Sequence, residues 1–329
     1  MSLALVVPDP RVRAFDLVRR YGRCTVAFQT LETGFRYWFD GDDAVVAYVD
    51  TGGAWVAGGG PIAPAGRLVE VARAFTDAAD AHGKRACFFA CEQILADAMP
   101  HIQIGEQPVW RAAEWDTIVR SNSSLRYQLN RARNKGVRVR GISEVELETE
   151  PELRAQIAEL AVQWQATKRM APMSFLVQLE PFSYATERVL FIAEREGALV
   201  GLASAVPVYA ANRLFIEDLL RSTRAPNGTS ELLIDAVMRD ATTPEVTLGL
   251  APLAGGVARW LRVARWLGGP LYDFEGLRAF KSKLRPTSWE PVFLCTEGSR
   301  LGAMRDSLRA FAGGSLVTFA GRTLFRRRG

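Results

Sequence analysis

Histidine is nearly missing from this sequence: His82 and His101 are the only two among 329 residues. A histidine-based catalytic triad or a histidine-rich metal site therefore has little to be built from. Cysteine is scarce too. Cys24, Cys87, Cys91 and Cys295 show no paired zinc spacing, and no histidine is placed to complete a site around Cys87 and Cys91. They read as buried, reduced thiols of a cytosolic protein, and no metal is expected. No window approaches the ~18 to 20 uninterrupted apolar residues of a membrane span. The opening MSLALVVPDPRVRAF lacks the basic start and long apolar stretch of a secretion signal. The expected location is the cytoplasm, or the inner face of the cell membrane as a peripheral protein.

Hydrophobic residues make up 48% and charged residues 23%, a balance that supports packed cores throughout. The length is generous for one core and comfortable for two. Lysine and arginine number 41 against 36 acids, a net charge of +5 that favours anionic partners only weakly by itself. The excess is concentrated. The stretch 125–141, LRYQLNRARNKGVRVRG, is dense in basic residues and holds no acid, and the chain ends in LFRRRG. Two readings fit each segment: a solvated helix and a frayed tail, or surfaces for the phosphates of nucleic acid or lipid headgroups.

The pattern along the chain repeats. A helix over 11–22 carries Val12, Phe15 and Val18 on one face. Strands at 36–40, 44–50 and 54–58 follow, separated by Gly-Asp-Asp and Gly-Gly turns. A helix with Leu68, Val71, Ala72 and Phe75 at helical spacing ends at Gly83, before the strand RACFFACE. The same order then returns. A long helix in 151–169 precedes three strands in 188–221, broken by Glu-Gly and Ala-Asn turns. A helix starting near Ser230 and a strand EVTLGLA close the second round. A meander, a helix and a strand occurring twice predict a duplicated α/β fold with mixed sheets. The boundary falls near 140–150, giving domains 1–145 and 146–300 and a basic amphipathic tail, 301–329.

The most informative unit is the strand, turn and helix at 214–240. The turn STRAPNGT holds Gly228, and the new helix adds unpaired N–H groups and the positive end of its dipole. Arg224, Asn227, Gly228 and Thr229 are thus candidates for holding a donor's phosphates. In the GNAT acyltransferases such a turn binds the acyl-CoA pyrophosphate through Arg or Gln, two residues, Gly, one residue, then Gly or Ala. Here Arg224 to Gly228 is one residue longer and Thr229–Ser230 replaces the small pair; a bare Asn-Gly turn is the plainer reading. On the strand before it, Asp218 and Arg221 form either a salt bridge or a catalytic pair that orients an attacking group and steadies an oxyanion.

Three blocks, LFIEDLLR…NGTSELLI, LGLAPLAG and FEGLRAFKSKLRPTSWEPVFL, resemble in order the strongest segments of the phosphatidylglycerol lysyltransferase C-terminal domain. Weaker echoes are AGGGPIAP, IGEQPVW and LRYQLNRARNKGVRV, so the likeness covers roughly residues 30–295. The resemblance implies two tandem GNAT-like domains in a soluble, stand-alone member, without the membrane flippase of the classical proteins. It implies transfer of an aminoacyl group from aminoacyl-tRNA to a lipid hydroxyl, commonly on phosphatidylglycerol, with no cofactor. It places Asp218 and Arg221 in the active site, gives Glu275 to the aminoacyl amine, and gives Lys281 and Lys283 to phosphate. Arg126, Arg131 and Lys135 fall on a basic helix facing tRNA or headgroups. Leu220 and Leu284 depart from the usual Met and Phe, and Pro286-Thr-Ser lengthens the gap before Trp289.

Two other functions stay open: an acyl-CoA-dependent N-acyltransferase on a long-chain lipid amine, and a non-catalytic tRNA- or lipid-binding module. The tail 304–329 mixes apolar residues with arginines, which suits either an anionic membrane surface or a last helix packed on the second domain. Trp164, Trp260 and Trp266 read as core.

Overall fold

The computed structural model describes residues 9–268 and 273–326; the first eight residues and the closing Arg327, Arg328 and Gly329 of the basic tail lie outside that range. The first half comprises α1 (Pro10–Tyr21), β1 (Arg36–Asp40), β2 (Ala44–Asp50), β3 (Ala54–Gly58), α2 (Leu68–Ala81), β4 (Arg85–Cys91), α3 (Gln93–Ala96) and β5 (His101–Arg111). Two connecting helices follow, α4 (Trp115–Ser121) and α5 (Ser123–Asn134). The second half runs through β6 (Arg138–Ile142), α6 (Glu144–Thr149), α7 (Pro151–Ala166), β7 (Val189–Arg195), β8 (Ala198–Val208), β9 (Arg213–Arg221), α8 (Thr229–Asp240) and β10 (Glu245–Thr247). It ends with β11 (Ala251–Pro252), α9 (Arg259–Gly268), α10 (Phe274–Lys283), β12 (Ser288–Cys295), α11 (Arg300–Phe311) and α12 (Leu316–Arg326).

The expected duplication is present. β1, β2 and β3 form an antiparallel meander, and the crossover through α2 brings β4 parallel to β3. β6 to β9 repeat it, and the crossover through α8 brings β10 parallel to β9. Such crossovers need a connection long enough for a helix, which both halves supply. This is the tandem GNAT-like arrangement, carried on one continuous mixed sheet in the order β1-β2-β3-β4-β12-β5-β10-β9-β8-β7-β6.

The halves exchange their closing strands. β5 leaves the first half to pair with β10, while β12 of the second half inserts between β4 and β5. One sheet therefore continues across the centre from the first half to the second. The sequence expectation of a single strand 245–251 is corrected here: residues 248–250 leave the ladder, so the segment splits into β10 and β11.

Helices cover both faces. α2 packs Leu68, Val71, Ala72 and Phe75 against Trp55 and Phe88, and α8 packs Leu232, Leu233 and Val237 against Ala203, Ala205 and Ile216. α1 seats Ala14, Leu17 and Val18 against Val45 of the first half and Val206 and Val208 of the second. Its inward face is one step round from the one expected, since Val12 is 54% exposed. The four cysteines are all buried and free. Among the described residues no helix is long and apolar enough to cross a membrane.

Candidate active site

Between the halves lies a cavity of about 1140 Å³. Its walls are mostly apolar, including Phe89, Trp164, Met173, Leu176, Phe215 and Phe280. A few convergent polar groups interrupt them, the usual composition of a ligand site. Two polar clusters matter.

The first is centred on Arg188, just before β7. Its guanidinium is wholly buried and donates to Glu217, to Ser204 Oγ at 3.0 Å, to Ser183 O at 2.7 Å and to Glu32 at 3.4 Å. Asp218 stands next to Glu217 on β9, and both line the cavity. Neighbouring strand residues normally face opposite ways; here the register shifts at Ser204/Ala205, opposite this stretch of β9. Three carboxyls thus gather round one guanidinium. Burial, then the charge of Glu217, pushes Asp218 well above the ordinary carboxylate range, with Arg188 opposing. Burial and Glu217 push Glu32 the same way. Glu32 Oε2 and Glu217 Oε1 are buried without a hydrogen-bond partner, so the cluster keeps acceptor capacity for a further donor.

The second cluster is a chain: Thr25 Oγ1 donates to Gln107 Oε1 at 2.8 Å, Gln107 Nε2 to Glu290 at 3.0 Å, and Arg213 to Glu290 at 2.8 Å. Burial would raise Glu290, but the hydrogen bonds from Arg213 and Gln107 hold it below its usual value. Glu92, also in the cavity wall, has no such support: burial lifts it to about 7, with Arg23 and Arg213 opposing. Beside it Ala90 adopts φ +67°, uncommon for a residue with a side chain.

The sequence blocks at 214–234, 248–255 and 274–294 prove to be one physical unit. Lys281 of α10 is 4% exposed and donates to the carbonyls of Leu248, Gly249 and Leu250 at 2.9, 2.8 and 2.9 Å. Gly249 has φ +66°, and a Cβ there would come within 2.6 Å of the Phe215 ring on β9. Arg278 of α10 ties in a fourth segment through Glu106, at 2.8 Å, while lying over the Trp289 ring. The loop that interrupts the central ladder is thereby fixed, and it forms part of the cavity wall.

Lys281 was expected to meet phosphate; instead all three of its donors are taken by carbonyls. Burial pushes its pKa down to about 7, yet three acceptors require the three-donor, protonated amine. Lys281→Met is expected to strand three buried carbonyls and cost about 3 kcal/mol or more. That is a fall of roughly 5 °C or more in a thermal melt, and an unchanged melting temperature would show that the loop does not depend on this clamp.

The other expected residues are distributed as follows. Asp218 is in the cavity, but Arg221 is exposed at the end of β9 and reaches Asn227 Oδ1 at 3.4 Å. The expected Asp218–Arg221 pair is thus not formed; Arg188 takes that place, because the strand carries residues three apart to opposite sides. Glu275 is exposed in the first turn of α10, and Lys283 is exposed at its end. Arg224 is exposed; Gly228, with φ +95°, and Thr229 are buried, and Thr229 Oγ1 donates to Pro226 O at 2.7 Å. A Cβ on Gly228 would lie 2.1 Å from Gln128 O of α5. The glycine therefore serves close packing of α8 on α5. On α5, Arg126, Arg131 and Lys135 are all exposed. Trp164 and Trp260 line the cavity and Trp266 is 78% exposed, so none is a fully enclosed core residue. The tail helix α11 packs on both halves, through Arg85–Asp306 at 2.8 Å and contacts with β3 and β4 in the first, and through Phe311 against Phe175, ring centroids 5.2 Å apart, in the second.

Sequence reasoning missed Arg188, Glu32, Glu92 and Gln107. The one signal for them was apolar context around charged residues, as in RVLFIAE after Arg188.

A family model described as phosphatidylglycerol lysyltransferase, C-terminal, matches residues 15–296. A lysylphosphatidylglycerol biosynthesis bifunctional protein LysX from Mycobacterium sp. (strain JLS) is 25% identical over 243 residues, 64% of this chain and 21% of that protein. The phosphatidylglycerol lysyltransferase of Bacillus subtilis (strain 168) is 24% identical over 156 residues, 44% of this chain and 18% of that one. The chain spans about a fifth of the length of these curated relatives. Among solved structures, the C-terminal domain of a putative lysylphosphatidylglycerol synthetase from Agrobacterium fabrum superposes with a TM-score of 0.79 at 22% identity, covering 93% of this chain and 98% of that one. L-PGS from Bacillus licheniformis gives 0.78 at 20% identity, covering 96% and 98%. Both likenesses are of fold, and the family model extends over the three sequence blocks and both polar clusters. The chain belongs to the phosphatidylglycerol lysyltransferase C-terminal family.

Proposed function

We propose that the protein transfers an aminoacyl group from aminoacyl-tRNA to the hydroxyl of a phosphatidylglycerol-like lipid. The observation that carries this reading is the cavity itself: about 1140 Å³, apolar along most of its wall, with Asp218 and Glu217 set into it. An apolar enclosure suits a lipid acceptor, and a buried carboxyl suits the one proton that must move. In the reaction the acceptor oxygen bonds to the aminoacyl carbonyl carbon, and the ester bond to the terminal ribose of the tRNA breaks. The acceptor's proton ends on the ribose oxygen. Asp218 takes that proton and returns it, being within the apolar wall and basic for a carboxylate. Glu217, set into the wall with a buried oxygen still unpartnered, accepts from the aminoacyl ammonium, and Arg188 keeps the three carboxyls together. The ester is already activated, so positioning and charge placement supply the catalysis. The exposed Arg126, Arg131 and Lys135 of α5, beside Arg221 and Arg224, form the face for the tRNA backbone.

The acyl-CoA alternative finds less support, because Arg224 to Gly228 is one residue longer than the acyl-CoA turn and Gly228 is used to pack α8 on α5. The test is to supply labelled aminoacyl-tRNA or labelled long-chain acyl-CoA to the protein with phosphatidylglycerol, and to follow label into the lipid. Label from aminoacyl-tRNA alone is expected. Label from acyl-CoA alone would move the protein to the N-acyltransferases, and label from neither would end the lipid-acceptor reading.

A further inference from the structure

Helix α9 exposes apolar and cationic side chains side by side. Trp260, Val263 and Trp266 recur every third residue and so form one ridge, at 41, 57 and 78% exposure. Arg259 and Arg262 are exposed beside them, and the helix contains no acid. On its inner side Leu261 is buried in the cluster that also holds Ala303 and Ala310 of α11. Helix α12 has the same character. Val317 is 84% exposed and Leu316 37%, Arg322 is exposed, and again no acid is present. It is held by Thr323, which is buried and whose Oγ1 accepts from the Ala171 N–H at 3.2 Å.

These helices also wall the cavity: Trp260, Leu261, Leu316 and Phe319 are all part of it. The exposed apolar ridge and its arginines therefore border the chamber in which a lipid would react. The family match ends at residue 296, so α11 and α12 lie beyond the matched region.

We propose that α9 and α12 form a collar that docks on an anionic lipid bilayer and holds the cavity against the headgroup layer. Tryptophan is favoured at the membrane interface, where its body is apolar and its N–H stays wet, while arginine reaches lipid phosphates. A tRNA is the other polyanion available, but α5 shows what suits it: Arg126, Arg131 and Lys135 among exposed asparagines, with Tyr127 the single large ring. Two tryptophans and a valine in water offer RNA phosphates nothing. Lipid could then enter the cavity without crossing water. This use of docking rests on the lipid-acceptor reading; the docking itself is measured without any donor.

The test is co-sedimentation with vesicles of mixed phosphatidylglycerol and phosphatidylcholine, or of phosphatidylcholine alone, using the whole chain and the double variant Val263→Glu/Trp266→Glu. Neither position lines the cavity, and a second variant, Val263→Ser/Trp266→Ser, removes the ridge without adding charge. The chain is expected to bind anionic vesicles at least about tenfold more tightly than neutral ones, and both variants to lose at least about tenfold of that binding. Transfer to vesicle lipid should fall in the variants, while transfer to a soluble short-chain phosphatidylglycerol stays unchanged. Equal binding to both vesicle types, no binding, or variants that bind like the parent would each overturn the proposal. So would a loss of tRNA binding in place of vesicle binding. Docking without transfer to any lipid would sink the acceptor reading alone, and short-chain transfer without docking would sink the collar alone.

Discussion

Asp218→Asn is expected to lower the transfer rate by roughly 10²- to 10⁴-fold, the range for a positioned acid–base group, while leaving the melting temperature unchanged or slightly higher. The two halves of that expectation have one cause. Asp218 is buried, and burial together with Glu217 raises its pKa well above the usual carboxylate range. A carboxyl in that condition adds nothing to stability by being charged. With a folded pKa above the unfolded one, its contribution is complete at low pH and lost as pH rises through the folded value. An amide of the same shape removes that liability, and it also removes the base. The pH profile of kcat/KM separates a chemical role from a structural one. In the parent the rate should climb with pH through a carboxyl titrating above its ordinary range, and in the variant that limb should vanish. If Asp218→Asn kept more than about a tenth of the parent rate, Asp218 would be a structural member of the cluster and the base would lie elsewhere.

Much of the fold could be read from the chain because its signals are local. The Gly-Asp-Asp and Gly-Gly turns mark hairpins within a few residues, and the strands they bound at 36–40, 44–50 and 54–58 match the observed elements. The strand exchange could not be read in this way. β12 finds β5 and β4 nearly two hundred residues upstream, as in Ser288↔Val109 and Cys295↔Phe88, and nothing at either end of such a pair encodes its partner. The site divides along the same line. Asp218 stood out because a carboxyl inside an apolar strand demands a partner. The partner was sought nearby, at Arg221, whereas Arg188 and Glu32 arrive from 30 and 186 residues upstream of Asp218. Lys281 illustrates the other limit. Its block was recognisable, but a lysine's sequence neighbours do not report whether it reaches outward to a phosphate or inward to three carbonyls.

Arg188→Met should be the most destabilising change of a single charged residue in the carboxylate cluster at the cavity wall. Methionine roughly fills the volume but leaves Glu32 and Glu217, at 1 and 2% side-chain exposure, without their counter-ion. Breaking a buried pair from one side costs about 3–5 kcal/mol, here roughly 5–10 °C in melting temperature. The loss should depend on pH in a definite direction. Burial raises Glu32 and Asp218, and the Arg188 charge works against that rise. Without it both carboxyls go higher still. Groups whose folded pKa exceeds the unfolded value give full stability only below the unfolded value, and they lose it as pH rises through the folded one. Glu32 is pushed up to about 10 in the parent, so the variant's deficit should stay level between pH 5 and 8 and grow as pH rises past about 10, where the parent's carboxyl ionises and the variant's does not. Adding Glu217→Gln to Arg188→Met should recover part of the loss, because it removes the neighbour whose charge raises both Glu32 and Asp218. A deficit that did not change with pH would mean that Arg188 stabilises by packing on Phe28, 5.5 Å from its ring centroid, and by its hydrogen bonds to Ser183 and Ser204, with its charge playing no part.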